Sequence, residues 1–122
     1  MTVEEAIRQT ERLQPSQYSK LDMLNWLSQL EGQVRRDIID THEGGPETEY
    51  RPFGLGDMDC ALLAPPPFDR MYLSWLESRI HYANAEYGKY NNAVAMHQAD
   101  YSAFWNWYNR THKPRTTAVT YF

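Results

Sequence analysis

Only a few residues in this sequence stand at spacings that could do chemistry. Glu77 and His81 are four apart, and His97 and Asp100 are three apart. On helices each pair shares a face, so two facing helices could in principle hold a metal ion between them. Helical di-metal sites use more carboxylates than this, in a fixed pattern. More simply, His97 is an aromatic member of a core or interface stripe, and Glu77 and His81 are surface neighbours. Asp57-Met58-Asp59 places two carboxylates around one residue, but it lacks the spacing and the closing Glu of a calcium loop. It reads as a solvated acidic loop. Cys60 could serve as a nucleophile with one of the four histidines, yet no nucleophile signature surrounds it. Next to Leu62 and Leu63 it is expected to be a small buried thiol. Gly54-Leu55-Gly56 lacks the third glycine and the strand-to-helix setting of a phosphate loop. No Cys and His cluster has zinc-ligand spacing. No catalytic residue, metal ligand or cofactor is therefore assigned, and the chain is expected to be a binding protein rather than an enzyme.

The elements that would position these residues follow from hydrophobic spacing. Thr2 and Glu5 have the form of a capping box, opening a short helix with Val3, Ala6 and Ile7 on one side, which Pro15 stops. Ser19 caps a second helix with Asp22 in its first turn. There Met23, Leu27, Leu30, Val34 and Ile38 repeat at three and four and form one face, which Leu24 and Trp26 widen. Glu31 and Arg35 are expected to pair on its solvent side. The helix should end near Asp40, before Gly44-Gly45-Pro46.

Residues 43–67 hold four glycines and five prolines, which excludes a helix. Glu49-Tyr50-Arg51 and Cys60-Ala61-Leu62-Leu63 could be short strands of a hairpin, and Pro65-Pro66-Pro67 an extended lead-in. Asp69 is then a cap for a third helix whose stripe runs Leu73, Leu76, Ile80, Ala83 and Tyr87, with Tyr72, Trp75 and Tyr82 beside it. The same phase continues through Tyr90, Val94, His97, Tyr101, Phe104 and Tyr108. One helix of ~40 residues would run ~60 Å at 1.5 Å per residue. Ordinary helix lengths favour instead two antiparallel helices of ~20 residues, joined near Gly88 to Asn92. In that arrangement Asn84, Gly88 and Asn91 serve the turn as caps with a close helix approach, the alternative being hydrogen-bond donors across a subunit contact. From Pro114 the residues Arg115-Thr116-Thr117-Ala118-Val119-Thr120-Tyr121-Phe122 favour extended structure. This tail is free to be disordered or to add a strand to a neighbour.

The expected architecture is mainly α: three longer helices plus a short N-terminal helix, with an irregular or short β-hairpin loop at about 43–67 and an extended C-terminal tail. Residues 1–113 form a single helical domain and 114–122 the tail. A length of 122 residues with 42% hydrophobic and 23% charged residues suits one modest core. Nine Tyr, four Trp and four Phe are an unusual share, which suits either a small core that needs bulk or a surface that becomes an interface. A net charge of −4 argues against a general nucleic-acid binder. The fourth helix carries Arg110 and little else, too little for the recognition helix of a DNA-binding regulator. With one cysteine, an acidic N-terminus and no apolar run of ~20 residues, the expected setting is a reducing compartment, without signal peptide or membrane.

Three stretches carry a resemblance. They are Leu62-Leu63-Ala64-Pro65-Pro66-Pro67-Phe68-Asp69-Arg70-Met71-Tyr72, then Ile80-His81-Tyr82-Ala83-Asn84-Ala85-Glu86-Tyr87-Gly88-Lys89-Tyr90-Asn91-Asn92, then Tyr101-Ser102-Ala103-Phe104-Trp105-Asn106-Trp107-Tyr108-Asn109-Arg110-Thr111-His112-Lys113-Pro114. Over roughly residues 60–114, about half of the chain, it resembles head–tail connector or adaptor proteins of tailed bacteriophages and prophages. The resemblance implies a virion structural protein at the head–tail junction, present in the host cytoplasm during assembly. It implies a ring of helical subunits, a dodecamer in the virion, from a chain that is monomeric alone. The portal protein and a tail-completion or stopper protein would be its partners, and genomic DNA would pass through the ring without sequence-specific contact. Such proteins carry no catalytic residues. Contact residues are then expected among Tyr87, Tyr90, Asn91, Asn92, Trp105, Trp107, Arg110 and Arg115, with Val119, Tyr121 and Phe122 in a tail that reaches the portal or a neighbouring subunit. A tail-completion factor is the alternative of the same kind.

Overall fold

A computed structural model describes residues 1–115. It is mainly helical, with four helices and, among the described residues, no strand. Helix α1 spans Val3–Leu13, α2 Lys20–Val34, α3 Arg70–Ala83 and α4 Tyr87–Thr111. The two expected capping boxes close. Thr2 Oγ1 accepts from the Glu5 amide and Ser19 Oγ from the Asp22 amide, while both acidic side chains return to the cap amide. Each satisfies two amide donors that have no partner inside the helix.

Helix α2 continues into a π-helical turn, Arg35–Ile39, closed by the Asp40 amide donating to the Arg35 carbonyl. The wider turn lets Ile38 and its neighbour Ile39 both enter the core, where a continuing α-helix would have turned one of them away. The core gathers Val3, Ala6 and Ile7 from α1, the 23–34 face of α2, Met71, Tyr72, Leu76 and Ile80 from α3, and Tyr101, Phe104 and Tyr108 from α4.

Helices α3 and α4 are separate, but the junction differs from the expected one. It falls at Asn84–Glu86, not at Gly88 to Asn92, and the helices have 14 and 25 residues. Ala85 adopts φ +59°, its amide donates to the Tyr82 carbonyl, and the Glu86 amide donates to the His81 carbonyl. These are the paired bonds of a Schellman ending, with alanine where glycine is usual. Gly88, Asn91 and Asn92 therefore lie inside α4 and are exposed.

No hairpin forms in the 43–67 region. Among the described residues the pairing there is an isolated bridge, Thr2 to Ala61, supported by Val3 and Glu4 amides donating to the Cys60 and Met58 carbonyls. A second bridge joins His42 to Pro114, flanked by the Glu43 amide on the Lys113 carbonyl and the Arg115 amide on the Thr41 carbonyl. The expected tail thus begins against the domain, with Arg115 Nε also donating to the Asp40 carbonyl. The proline run makes a turn instead of an extended lead-in, with the Phe68 amide on the Pro65 carbonyl. Asp69 does not cap α3 with its side chain. Its carboxylate faces the Met1 amine at 3.3 Å.

Candidate protein-binding surface

Helices α3 and α4 set an aromatic ridge around their connecting turn. Tyr82 and Tyr87 are 55% and 58% exposed, and their rings meet edge to face at 6.1 Å. Tyr90 joins from the next turn of α4, 5.2 Å from Tyr82. Arg79 lies among them. Its guanidinium sits 4.5 Å from the Trp75 ring centre, 5.6 Å from Tyr82 and 5.4 Å from Tyr90. Trp75 is fixed in turn by donating its indole N–H to the Trp26 carbonyl. The turn below the ridge is ordered by Glu86, whose carboxylate receives Asn84 Nδ2 and Lys89 Nζ and faces His81 Nδ1 at 3.1 Å. Those bonds, His81 first, hold its pKa down at about 2.

Beside the ridge is a cleft of about 460 Å³ bounded by Gln33 of α2, by Trp75 and Arg79 of α3, and by the 90–102 face of α4. His97 and Tyr101 form part of its wall. His97 Nδ1 lies 3.0 Å from the Met71 carbonyl, which fixes the proton on that nitrogen, and burial keeps the imidazole below the usual histidine range. Burial, with the Asp37 charge next, pushes the Tyr101 phenol up to about 12 against the opposing pull of the Gln33 side chain, and its hydroxyl is buried.

The expected contact residues divide between surface and core. Tyr87, Asn91, Asn92, Trp105 and Arg110 are exposed and Tyr90 is half-buried. Trp107 is half-buried against Phe68 and Phe104, with ring centres at 5.1 and 6.1 Å, and braces the core. Trp105 faces outward, edge-on to Tyr101. Arg115 is held by the 40–41 backbone. Val119, Tyr121 and Phe122 lie outside the described residues.

Several expectations are corrected. Glu31 does not pair with Arg35 on the solvent side. It is buried, Oε2 accepts from the Leu63 amide and Oε1 from the Tyr72 hydroxyl, which itself accepts from the Ala64 amide. Arg35 turns instead to Asp40 and the Pro46 carbonyl. Desolvation pushes Glu31 up to about 7 despite those bonds. His81 is buried rather than a surface residue, and its Nε2 is 3.5 Å from Glu77. Asp100 reaches the Ser74 hydroxyl at 3.4 Å. No group of three or more metal-ligating side chains occurs among the described residues. Cys60 is exposed, not buried. Asp57 is drawn inward by the Gly54 amide and by Arg51, closing the 3₁₀ turn Leu55–Asp57.

The residue that sequence inspection missed is Arg79. Its spacing, four after Trp75 and three before Tyr82, was the available signal for an aromatic-stacked cation. No family model matches the chain, nor does any curated protein or solved structure. No helix among the described residues is long and apolar enough to cross a membrane.

Proposed function

We propose that this chain is a non-catalytic protein-binding subunit of the phage head–tail connector type, assembling as a ring on the portal protein and offering its other face to a tail-completion protein. The observation that carries the binding role is the ordered, exposed aromatic ridge at the α3–α4 turn. Tyrosines cost little conformational entropy to bury on association, and large exposed aromatics on rigid helices are the usual anchors of protein interfaces. The connector assignment itself rests on the resemblance of residues 60–114, whose Glu86-Tyr87-x-x-Tyr90-Asn91-Asn92 segment supplies half of that ridge. A ring subunit needs two unlike faces for its neighbours and an axial contact. The ridge at one end of α4 and the Arg115 end at the other are well separated surfaces for such contacts.

The test is to mix the purified chain with its cognate portal ring and image the product by electron microscopy. Added ring density on the tail side of the portal is expected, and it gives the stoichiometry. Tyr87→Ala and Trp105→Ala should abolish that density with little change in thermal midpoint, whereas Trp107→Ala should lower the midpoint. An intact portal with no added density beside a folded protein would sink the portal assignment in favour of a later tail-assembly role.

A further inference from the structure

We propose that the cleft beside Arg79 seats an acidic side chain, Asp or Glu, presented by the partner protein. This rests on the chain being a protein-binding subunit and names the chemistry it recognises. Arg79 is the only charged side chain lining the cleft among the described residues. It forms no ion pair with any described residue, and its only side-chain hydrogen bonds are long ones, 3.4 Å each, to the Ser78 and Tyr90 hydroxyls. A guanidinium stacked on aromatic rings keeps its in-plane N–H edge free, and that edge matches the two oxygens of a carboxylate. The rings screen the cation from water on their side, so a pair formed there is less weakened than one on open surface.

The rest of the cleft fits the same guest. Trp75 and Val94 give apolar wall for the carbon stem. Gln98 and Ser102 are exposed rim groups able to bond a peptide backbone. A nucleic-acid phosphate is the poorer guest. A phosphodiester chain carries repeated charge and needs several cations in line, while this cleft has one, on a chain of net charge −4.

The experiment is an NMR titration of the whole isotope-labelled chain with the blocked dipeptide acetyl-glutamyl-leucine amide, and in parallel with its glutamine counterpart. Saturable shifts of the Arg79 Nε–H, the Trp75 indole N–H and the Gln98 side-chain amide are expected at millimolar glutamate peptide, with no saturation by the glutamine peptide. Arg79→Gln should weaken binding at least tenfold. Arg79→Lys should weaken it too, since an ammonium offers no planar fork. Arg8→Gln, the same charge change on α1, should leave it unaltered. Should Arg79→Gln fail to fold, Gln98→Ala at the exposed rim is expected to weaken binding on an intact fold. The proposal is overturned if the glutamate peptide gives no saturable shift, if the glutamine peptide binds equally, or if Arg8→Gln weakens binding as much as Arg79→Gln. Tighter saturation by a short oligonucleotide than by the peptide would overturn it as well. The titration needs no portal, so a portal that binds the chain alongside a silent titration overturns the cleft assignment alone.

Discussion

Replacing Glu31 by glutamine should remove the loss of stability with rising pH that this carboxyl imposes between about pH 4.5 and 7. Glu31 is a carboxyl inside the core with a folded-state pKa pushed up to about 7 from 4.5, burial being the largest cause. The folded protein therefore holds this proton more tightly than the unfolded chain does. The stabilisation linked to it is fully present below pH 4.5, declines as pH rises, and is gone above about 7. At about 1.36 kcal/mol per pH unit, that interval corresponds to about 3 kcal/mol, an appreciable part of the ~5–15 kcal/mol that holds a domain of this kind together. Glutamine keeps the shape and can still accept from the Leu63 amide, but it cannot ionise. It also turns an acceptor toward Tyr72 into a donor, at a cost of about 1–2 kcal/mol at acid pH. Urea unfolding of both proteins from pH 4.5 to 8 measures the effect. With an m-value of ~1–3 kcal/mol/M, the wild-type midpoint should fall by ~1–3 M relative to the variant across that range. The variant would be the weaker protein at pH 4.5 and the equal or stronger one at pH 8. Parallel midpoint profiles would refute the account and mean that Glu31 is hydrated in solution.

Three further outcomes follow from single contacts. Ala85→Gly should raise stability by ~0.5–1 kcal/mol in chemical denaturation, because relief of the left-handed φ of +59° exceeds the added chain entropy of glycine, and a fall would argue against that turn. Gly45→Ala should cost about 1–3 kcal/mol, since the new Cβ would stand 2.8 Å from Ile39 Cγ2 and 2.9 Å from Tyr108 Oη, while Gly56→Ala, with open space around it, should be near neutral. Cys60 should react with a thiol reagent in the native protein about as fast as in urea, and strong native protection would contradict its exposure.

The helices were legible because their apolar spacing and their caps agree. Thr2, Ser19 and Pro15 mark boundaries that local chemistry alone decides. The α3–α4 break was harder to place. The three-and-four phase runs through it, and the left-handed residue is an alanine, which carries no turn signature, while the glycine nearby sits inside α4. Glu31 shows the opposite failure. It stands four after Leu27 and three before Val34, on the buried face, but a Glu four before an Arg is an equally familiar surface pattern. What decides between them is the Leu63 amide and the Tyr72 hydroxyl, 32 and 41 residues away, and no local pattern contains them. The ridge was visible as an excess of tyrosine, and Tyr87 and Tyr90 were legible within it. Its centre at Arg79 was not, since one arginine among aromatics acquires meaning only when the rings close around it. Trp105 and Trp107, two apart, could not be sorted by spacing into surface and core.

Helix α4 has a consequence for how partners can engage the molecule. Its 25 residues make a rod of about 37 Å. The tyrosines lie at one end of it, and at the other the 113–115 segment is stitched to residues 41–43. A guest held at one end cannot touch the other unless it is itself larger than a small domain or extends a strand of at least ~11 residues. Two grips of modest strength at those ends would raise one another's effective concentration only through a partner of matching span. The rod then acts as a gauge, discriminating partners by the distance between their contact points as well as by the chemistry of each contact.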